Sequence, residues 1–180
     1  MKYFKYIWYI TKHKWFVMLA CFSEGLVIQG LFHDLSKLLP SEFFPYVNHF
    51  CRKNRNISQG RDSSGYYKVS DSGDPAFIKA WWCHFKRNKH HWQYWVTPDR
   101  TKNHSHGLGL GVEGFIDECI PLEIPEKYII EMVCDWYGAG KAQGNLSKLE
   151  ERYNKVQDKM VLHPETAVRF RYHLNRRDNR

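Results

Sequence analysis

Apolar residues recur at intervals of three and four along most of this chain, and no stretch alternates apolar and polar residues as a half-buried strand does. Three of these helical patterns begin at or beside Pro75, Pro125 and Pro164, because proline suits the first turn of a helix. Gly138 or Gly140 is expected to end the second of them. The sequence therefore predicts an all-α protein with about five to seven helices.

Two polar segments, at about 54–74 and 97–114, interrupt the helical patterns and are rich in Ser, Gly, Asn or Asp. Long segments of this kind in compact domains are loops that often have a function. The chain has 180 residues and shows no internal repeat, so we expect one domain over 1–180 with these segments as insertions. Its core would span about 5–140, and helices over 146–176 would complete it.

The chain carries a net charge of +8, from 27 Lys and Arg against 19 Asp and Glu. Such an excess favours anionic partners, which include nucleotides and nucleic acids. Much of this excess belongs to the last stretch, "RFRYHLNRRDNR", where a solvated tail is the simpler interpretation. A small anionic molecule is therefore favoured as partner, while nucleic acid stays a possible partner that is not favoured.

Five cysteines are scattered without a CxxC pair, so neither a disulfide scaffold nor a zinc ribbon is expected, and the cytoplasm is the predicted location. The apolar N-terminal stretch is interrupted by Lys5, Lys12 and Lys14. It falls short of the ~18 to 20 uninterrupted apolar residues of a membrane-spanning helix. We therefore expect a soluble helix there and no membrane partner.

Imidazole and carboxylate side chains occur inside these apolar patterns. His13 shares a helical face with core positions, His33 and Asp34 are adjacent in "LFHDLSKLLPSEF", and Asp135 follows Glu131 by one turn. On a helix His33 and Asp34 would diverge by about 100 degrees and could serve only one nearby point. Burying such groups without partners costs several kcal/mol each, and a metal ion would be a partner for all of them.

A further group of histidines belongs to the helix that begins at Pro75. Asn88 and His91 follow His84 at one and two turns, on one stripe, while His90 points elsewhere unless the helix ends near Asn88. A single buried histidine paired with an aspartate explains any of these residues alone. The ordered set instead predicts a metal centre with the ligands His13, His33, Asp34, His84, His90 or His91, and Asp135.

This ordered set resembles the HD-domain superfamily of metal-dependent phosphohydrolases. The segments "YITKHKWFV", "GLFHDLSKLLPSEF", "HFKRNKHHWQYW" and "EMVCDWYGAG" resemble more closely a family of bacteria and their phages, DUF5662, over about residues 5–140. The resemblance implies an HD-type helical bundle. It also implies one ion held by His13, His33, Asp34 and Asp135. Asp34 would bridge to a second ion held by His84 and by His91 or His90.

Mixed imidazole and carboxylate ligands suit one or two divalent ions of Mn, Fe, Co, Ni or Zn, and such ions activate a water for attack on phosphorus. Asp34 would be the catalytic carboxylate. Lys37, one turn later, would bind a phosphate oxygen as the lysine of HDxxK-type members does, or would be a surface lysine at a helix end. Further candidates for contacting substrate are Arg87, Asn88 and Trp92, and Glu131 is expected to orient a ligand histidine.

The sequence thus predicts a metal-dependent phosphohydrolase, either a phosphomonoesterase or a phosphodiesterase, with a nucleotide as the favoured substrate. Two alternatives stay open. One is an HD-fold di-iron oxygenase, and the other is a non-catalytic basic module that binds nucleic acid or protein and holds a structural metal. His104 and His106, in "NHSHGLGLG", are expected to be solvated or part of a lid.

Overall fold

Helices make up almost all regular structure in the computed structural model, which describes residues 1–51, 69–99, 119–145 and 147–180. Within these ranges the α-helices are α1 (Lys2–Ser23), α2 (Val27–Phe32), α3 (Pro40–Phe50), α4 (Pro75–Arg87), α5 (Glu126–Gln143), α6 (Leu149–Asn154) and α7 (Pro164–Asp178). Short 3₁₀ turns occur at Leu35–Leu38, Val69–Ser72, Trp92–Trp95 and Gln157–Lys159. The all-α prediction is confirmed.

Two three-residue strands form a small antiparallel sheet that the sequence analysis missed. Strand β1 (Val96–Pro98) pairs with β2 (Cys119–Pro121), with Val96 opposite Pro121. Three residues are too few for an alternating pattern to be recognised. Strand β1 lies at the start of the second predicted loop segment, β2 follows that segment, and the turn at Val69–Ser72 lies near the end of the first. Residues 52–68 and 100–118, with His104 and His106, lie outside the described residues.

The long helices α1 and α5 pack against each other at close range. A side chain at Gly138 would place its Cβ 2.4 Å from Cγ2 of Val17, so only glycine permits this approach. Helix α5 continues through Gly138 to Gln143, and Gly144, which follows it, has a φ of 72°, the left-handed conformation common after a helix. The expected end at Gly138 or Gly140 is therefore wrong, because Gly138 serves helix packing instead.

Apolar clusters surround this helix pair on both sides. Helices α3 and α4 share one cluster that includes Val47 and Phe77, while α5, α6 and α7 share another that includes Ile129, Tyr153 and Phe170. Among the described residues no helix is both long and apolar enough to cross a bilayer. The fold thus brings α1, α4 and α5 around the short segment that carries His33 and Asp34.

Candidate metal centre

His33 and Asp34 lie at a break in the chain and not on a continuous helix, as the sequence analysis assumed. Helix α2 ends at Phe32, His33 is extended, and Asp34 has a φ of 55°. Asp34 is the one non-glycine residue with positive φ in the described ranges, and this conformation costs a residue with a Cβ roughly 1–2 kcal/mol. Both side chains are buried. Because the chain leaves the helix here, the two side chains do not diverge by the roughly 100 degrees that separate neighbours on a helix.

The first group of candidate ligands comes from α1, the break and α5. Nε2 of His13 lies 3.2 Å from Oδ1 of Asp135 and 3.4 Å from Oδ2 of Asp34. Nε2 of His33 lies 3.4 Å from each of the same two oxygens. The four side chains that the family resemblance assigns to one ion therefore lie close to one point.

The second group forms where α4 ends. Asn88 has extended backbone, so the chain turns there and brings both following histidines back towards Asp34. Nε2 of His84 and Nε2 of His90 lie 3.3 and 3.4 Å from Oδ1 of Asp34. Nε2 of His91 lies 2.9 Å from Nε2 of His84. The structure thus brings His90 and His91 together, where the sequence left a choice between them.

Asp34 belongs to both groups. In each group the potential ligand atoms all lie within 4.8 Å of one another. Oδ2 of Asp34 faces His13 and His33, whereas Oδ1 faces His84 and His90. One carboxylate therefore separates two sets of imidazole nitrogens.

Several polar atoms in the cluster are buried without a hydrogen bond of good geometry, although Nε2 of His13, His33 and His90 lies 3.2–3.4 Å from carboxylate oxygens. They are both ring nitrogens of His13, Nε2 of His33, Oδ1 of Asp34 and Nε2 of His90. Leaving such groups unsatisfied costs roughly 1–3 kcal/mol each, and native proteins contain few of them. A cation bound by these atoms would remove that cost, so the donor set fits a divalent metal ion.

Glu131 contacts one histidine of each group, as a residue that orients ligands would. Its Oε1 lies 3.1 Å from Nδ1 of His33 and 3.2 Å from Nδ1 of His90. In the neutral ring, which is the form that binds a metal ion, an Nδ1–H that donates to this carboxylate leaves the Nε2 lone pair directed at Asp34. The predicted orienting role of Glu131 therefore has a matching geometry.

Glu42 contacts Nδ1 of His84, as Glu131 contacts Nδ1 of His33 and His90. The sequence analysis did not identify Glu42. This buried carboxylate accepts hydrogen bonds through Oε2 from Nδ1 of His84 and the Ser36 hydroxyl, both at 2.9 Å. Arg87 donates to its other oxygen at 2.5 Å. A glutamate in the first turn of a helix normally faces water and stabilises the dipole, so its spacing gave no sign of this role.

The predicted substrate-binding residues have partners within the protein. Lys37 donates to Oδ2 of Asp34 at 2.5 Å, so it is a charge partner of the cluster and not a surface lysine at a helix end. Asn88 donates to the His84 carbonyl at 2.7 Å, and Trp92 packs against the apolar cluster of α5, α6 and α7. Contacts of these residues and of Arg87 with a substrate remain predictions.

The charges of the cluster balance each other. Burial raises the pKa of Asp34, but His33 and Lys37 outweigh it and hold this pKa well below its usual range. Burial lowers the pKa of His33, yet Asp34, Asp135 and Glu131 raise it to about 9. Burial keeps the pKa of His84 below its usual value. The cluster thus combines ionised carboxylates with both protonated and neutral imidazoles.

Residues 2–176 match one family, whose description is "Family of unknown function (DUF5662)". No curated protein and no solved structure matches the chain. The match confirms the resemblance to this family and extends it from about 5–140 to nearly the full chain, including α6 and α7.

Proposed function

The chain belongs to the DUF5662 family, whose description names no activity, and we propose from the site that it is an HD-type metal-dependent phosphohydrolase. Its substrate would be a small phosphorylated molecule, with a nucleotide favoured. The observation that carries the proposal is the position of Asp34, which has separate histidines at each carboxylate oxygen. This arrangement suits a carboxylate that bridges two ions.

The residues that would hold the metal are the two groups defined above. His13, His33, Asp34 and Asp135 would hold one ion. Asp34, His84, His90 and His91 would hold the other. Imidazole with carboxylate suits Mn, Fe, Co, Ni or Zn. When bound, such ions supply a water of lowered pKa and positive charge for the phosphoryl oxygens.

The remaining polar residues would support this chemistry from outside the ligand set. Glu131 and Glu42 fix the orientation of three histidines, so that their Nε2 atoms are directed inwards. Lys37 places an ammonium beside Asp34, where a phosphate oxygen would approach. The net charge of +8 favours the approach of an anionic substrate.

Metal analysis combined with a hydrolysis screen tests the proposal. The protein is purified without chelator, its metal content is measured, and it is assayed with nucleotides and simple phosphoesters. We expect bound transition metal and hydrolysis, with turnover reduced to background in folded Asp34→Asn. Asp158→Asn, at an exposed carboxylate far along the chain, is the control and should retain full turnover.

Each alternative gives a different result. Iron with oxygen consumption and no phosphoester hydrolysis would identify an oxygenase. Binding of nucleic acid or protein that persists in Asp34→Asn, without turnover in the unmodified chain, would identify a non-catalytic module. Full turnover in folded Asp34→Asn would contradict the site assignment itself.

A further inference from the structure

Helix α1 is apolar on two opposite sides. One side buries Tyr6, Ile10, Val17, Ala20 and Cys21 in the protein. The other side exposes Phe4, Trp8, Trp15, Leu19 and Phe22. Their spacings of three, four and seven residues place these five side chains on one stripe. A helix on the surface of a globular protein normally has one apolar side, which faces the core, so the second, outward stripe needs an explanation.

Neighbouring segments extend the stripe into a larger apolar surface. Of the 21 large apolar side chains that the described residues expose, 16 belong to residues 1–44. Helix α2 packs on α1 through Gly30, whose Cβ would lie 3.0 Å from that of Cys21, and it exposes Ile28 and Phe32. Single exposed apolar residues are ordinary, whereas a large contiguous group marks an interaction surface. We call the outward stripe of α1, together with Ile28 and Phe32 of α2, the N-terminal apolar face.

The segment that carries the N-terminal apolar face exposes lysines and no carboxylate of its own, although Asp74, 22% exposed, lines a groove with Lys2 and Lys5. Residues 1–51 contain three carboxylates, Glu24, Asp34 and Glu42, whose side chains are 7%, 3% and 0% exposed. Glu24 is moreover bound by arginines of the C-terminal segment. Residues 1–51 also expose Lys2 and Lys5, so the surface of this N-terminal segment is both apolar and cationic.

We propose that the N-terminal apolar face docks on an anionic lipid bilayer, with α1 lying in the interface. Trp, Tyr and Phe side chains favour this region, and lysines can extend their ammonium groups to lipid phosphates. A second copy of the chain is a poorer occupant, because it would set lysines against lysines with no exposed carboxylate of residues 1–51 between them.

This proposal departs from the expectation of no membrane partner. That expectation rested on the lack of an apolar run long enough to span a bilayer, and no described helix is able to span one. The interfacial surface depends instead on which apolar residues face outwards. Only the packing of α1 against α5 and α2 reveals this.

Co-sedimentation with phosphatidylcholine vesicles, prepared with and without phosphatidylglycerol, tests the proposal. We expect the chain to bind the anionic vesicles, to bind the neutral ones much more weakly, and to be released by salt. Trp8→Ser combined with Trp15→Ser should weaken binding at least about tenfold. Lys5→Gln should weaken it about fivefold, the equivalent of the ~1 kcal/mol that one basic residue contributes near an anionic surface.

The matched control is Val168→Ser with Tyr172→Ser, which removes exposed apolar side chains from α7 and should leave binding unchanged. All substituted residues are exposed, and circular dichroism checks that each variant is folded. Three results would overturn the proposal: no binding to anionic vesicles, equal binding to neutral vesicles, or equal loss in the control. A dimer in solution that Trp8→Ser with Trp15→Ser dissociates would also overturn it, since the occupant would be a second copy.

Discussion

At the scale of single residues, three histidines of the cluster, His33, His84 and His90, have Nε2 near Asp34 and Nδ1 in contact with a glutamate. Glu131 contacts one histidine of each group, but Glu42 contacts only His84. A carboxylate behind a ligand histidine fixes the ring and its tautomer, and its removal commonly lowers metal affinity 10–100-fold. The two glutamates should therefore differ in which ion they affect.

Glu42→Gln should weaken the ion held by His84, His90 and His91 by about 10–100-fold and leave the other ion unchanged. Glu131→Gln should weaken both, because it contacts His33 as well as His90. Calorimetric titration of the metal-free variants with Mn²⁺ measures both affinities. If Glu42→Gln weakened the affinities of both ions equally, the result would contradict the inference that Glu42 orients a ligand of one ion only.

The metal-free protein should be most stable at an intermediate pH and less stable at lower and higher pH. Burial raises the pKa of Glu131, but His33 and His90 outweigh it and lower this pKa from 4.5 to about 2. This carboxylate therefore stabilises the fold above pH 4.5 and loses that effect as pH falls towards 2. The pKa of His33 is raised from 6.5 to about 9, so its contribution is complete below pH 6.5 and is lost as pH rises through 9.

Thermal denaturation of chelated protein checks this pH dependence. The melting temperature should decline from pH 6.5 to pH 9 and again below pH 4.5. In Glu131→Gln the decline on the alkaline side should be smaller, because one carboxylate that raises the pKa of His33 is gone. A flat profile in the unmodified chain between pH 6.5 and 9 would contradict the assigned ionisation.

The sequence predicted the members of the cluster better than their local geometry. His13 and Asp135 were identified because polar groups stood out against apolar helical periodicity. The break at Asp34 was missed because its positive φ depends on tertiary contacts and not on a glycine. Glu42 was missed because its partners, His84 and Arg87, are more than 40 positions away.

At the scale of helices, the distance between α1 and α5 sets the geometry of the first ligand group. His13 belongs to α1 and Asp135 to α5, four and three residues from Val17 and Gly138, the residues at the close contact. The periodicity predicted both helices, but it could not show that Gly138 is a packing residue, because glycine is equally common after a helix.

Gly138→Ala should therefore lower both stability and metal affinity. The added Cβ would lie 2.4 Å from Cγ2 of Val17, so the helices must shift, and overpacking of this kind costs typically ~1–3 kcal/mol. Chemical denaturation and Mn²⁺ titration measure the two effects. Lys141→Ala, at an exposed position of α5, is the control and should change neither. Unchanged stability in Gly138→Ala would contradict the close contact.

At the scale of the molecule, buried polar residues from four parts of the chain meet between apolar clusters. Such an arrangement keeps unsatisfied atoms in the interior of the metal-free protein. Ligands that bind only the folded state stabilise it. Chelation should accordingly lower the melting temperature, and re-addition of Mn²⁺, Co²⁺ or Zn²⁺ should restore it; Ca²⁺ should restore less, since it prefers oxygen ligands.

Anomalous diffraction from crystals grown with Mn²⁺ tests the central claim most directly. The account predicts at least one strong peak beside the Asp34 carboxylate, within bonding distance either of His13, His33 and Asp135 or of His84, His90 and His91. With both ions bound, two peaks would flank Asp34. A map without a peak at these residues, from protein that is folded as described, would contradict the account.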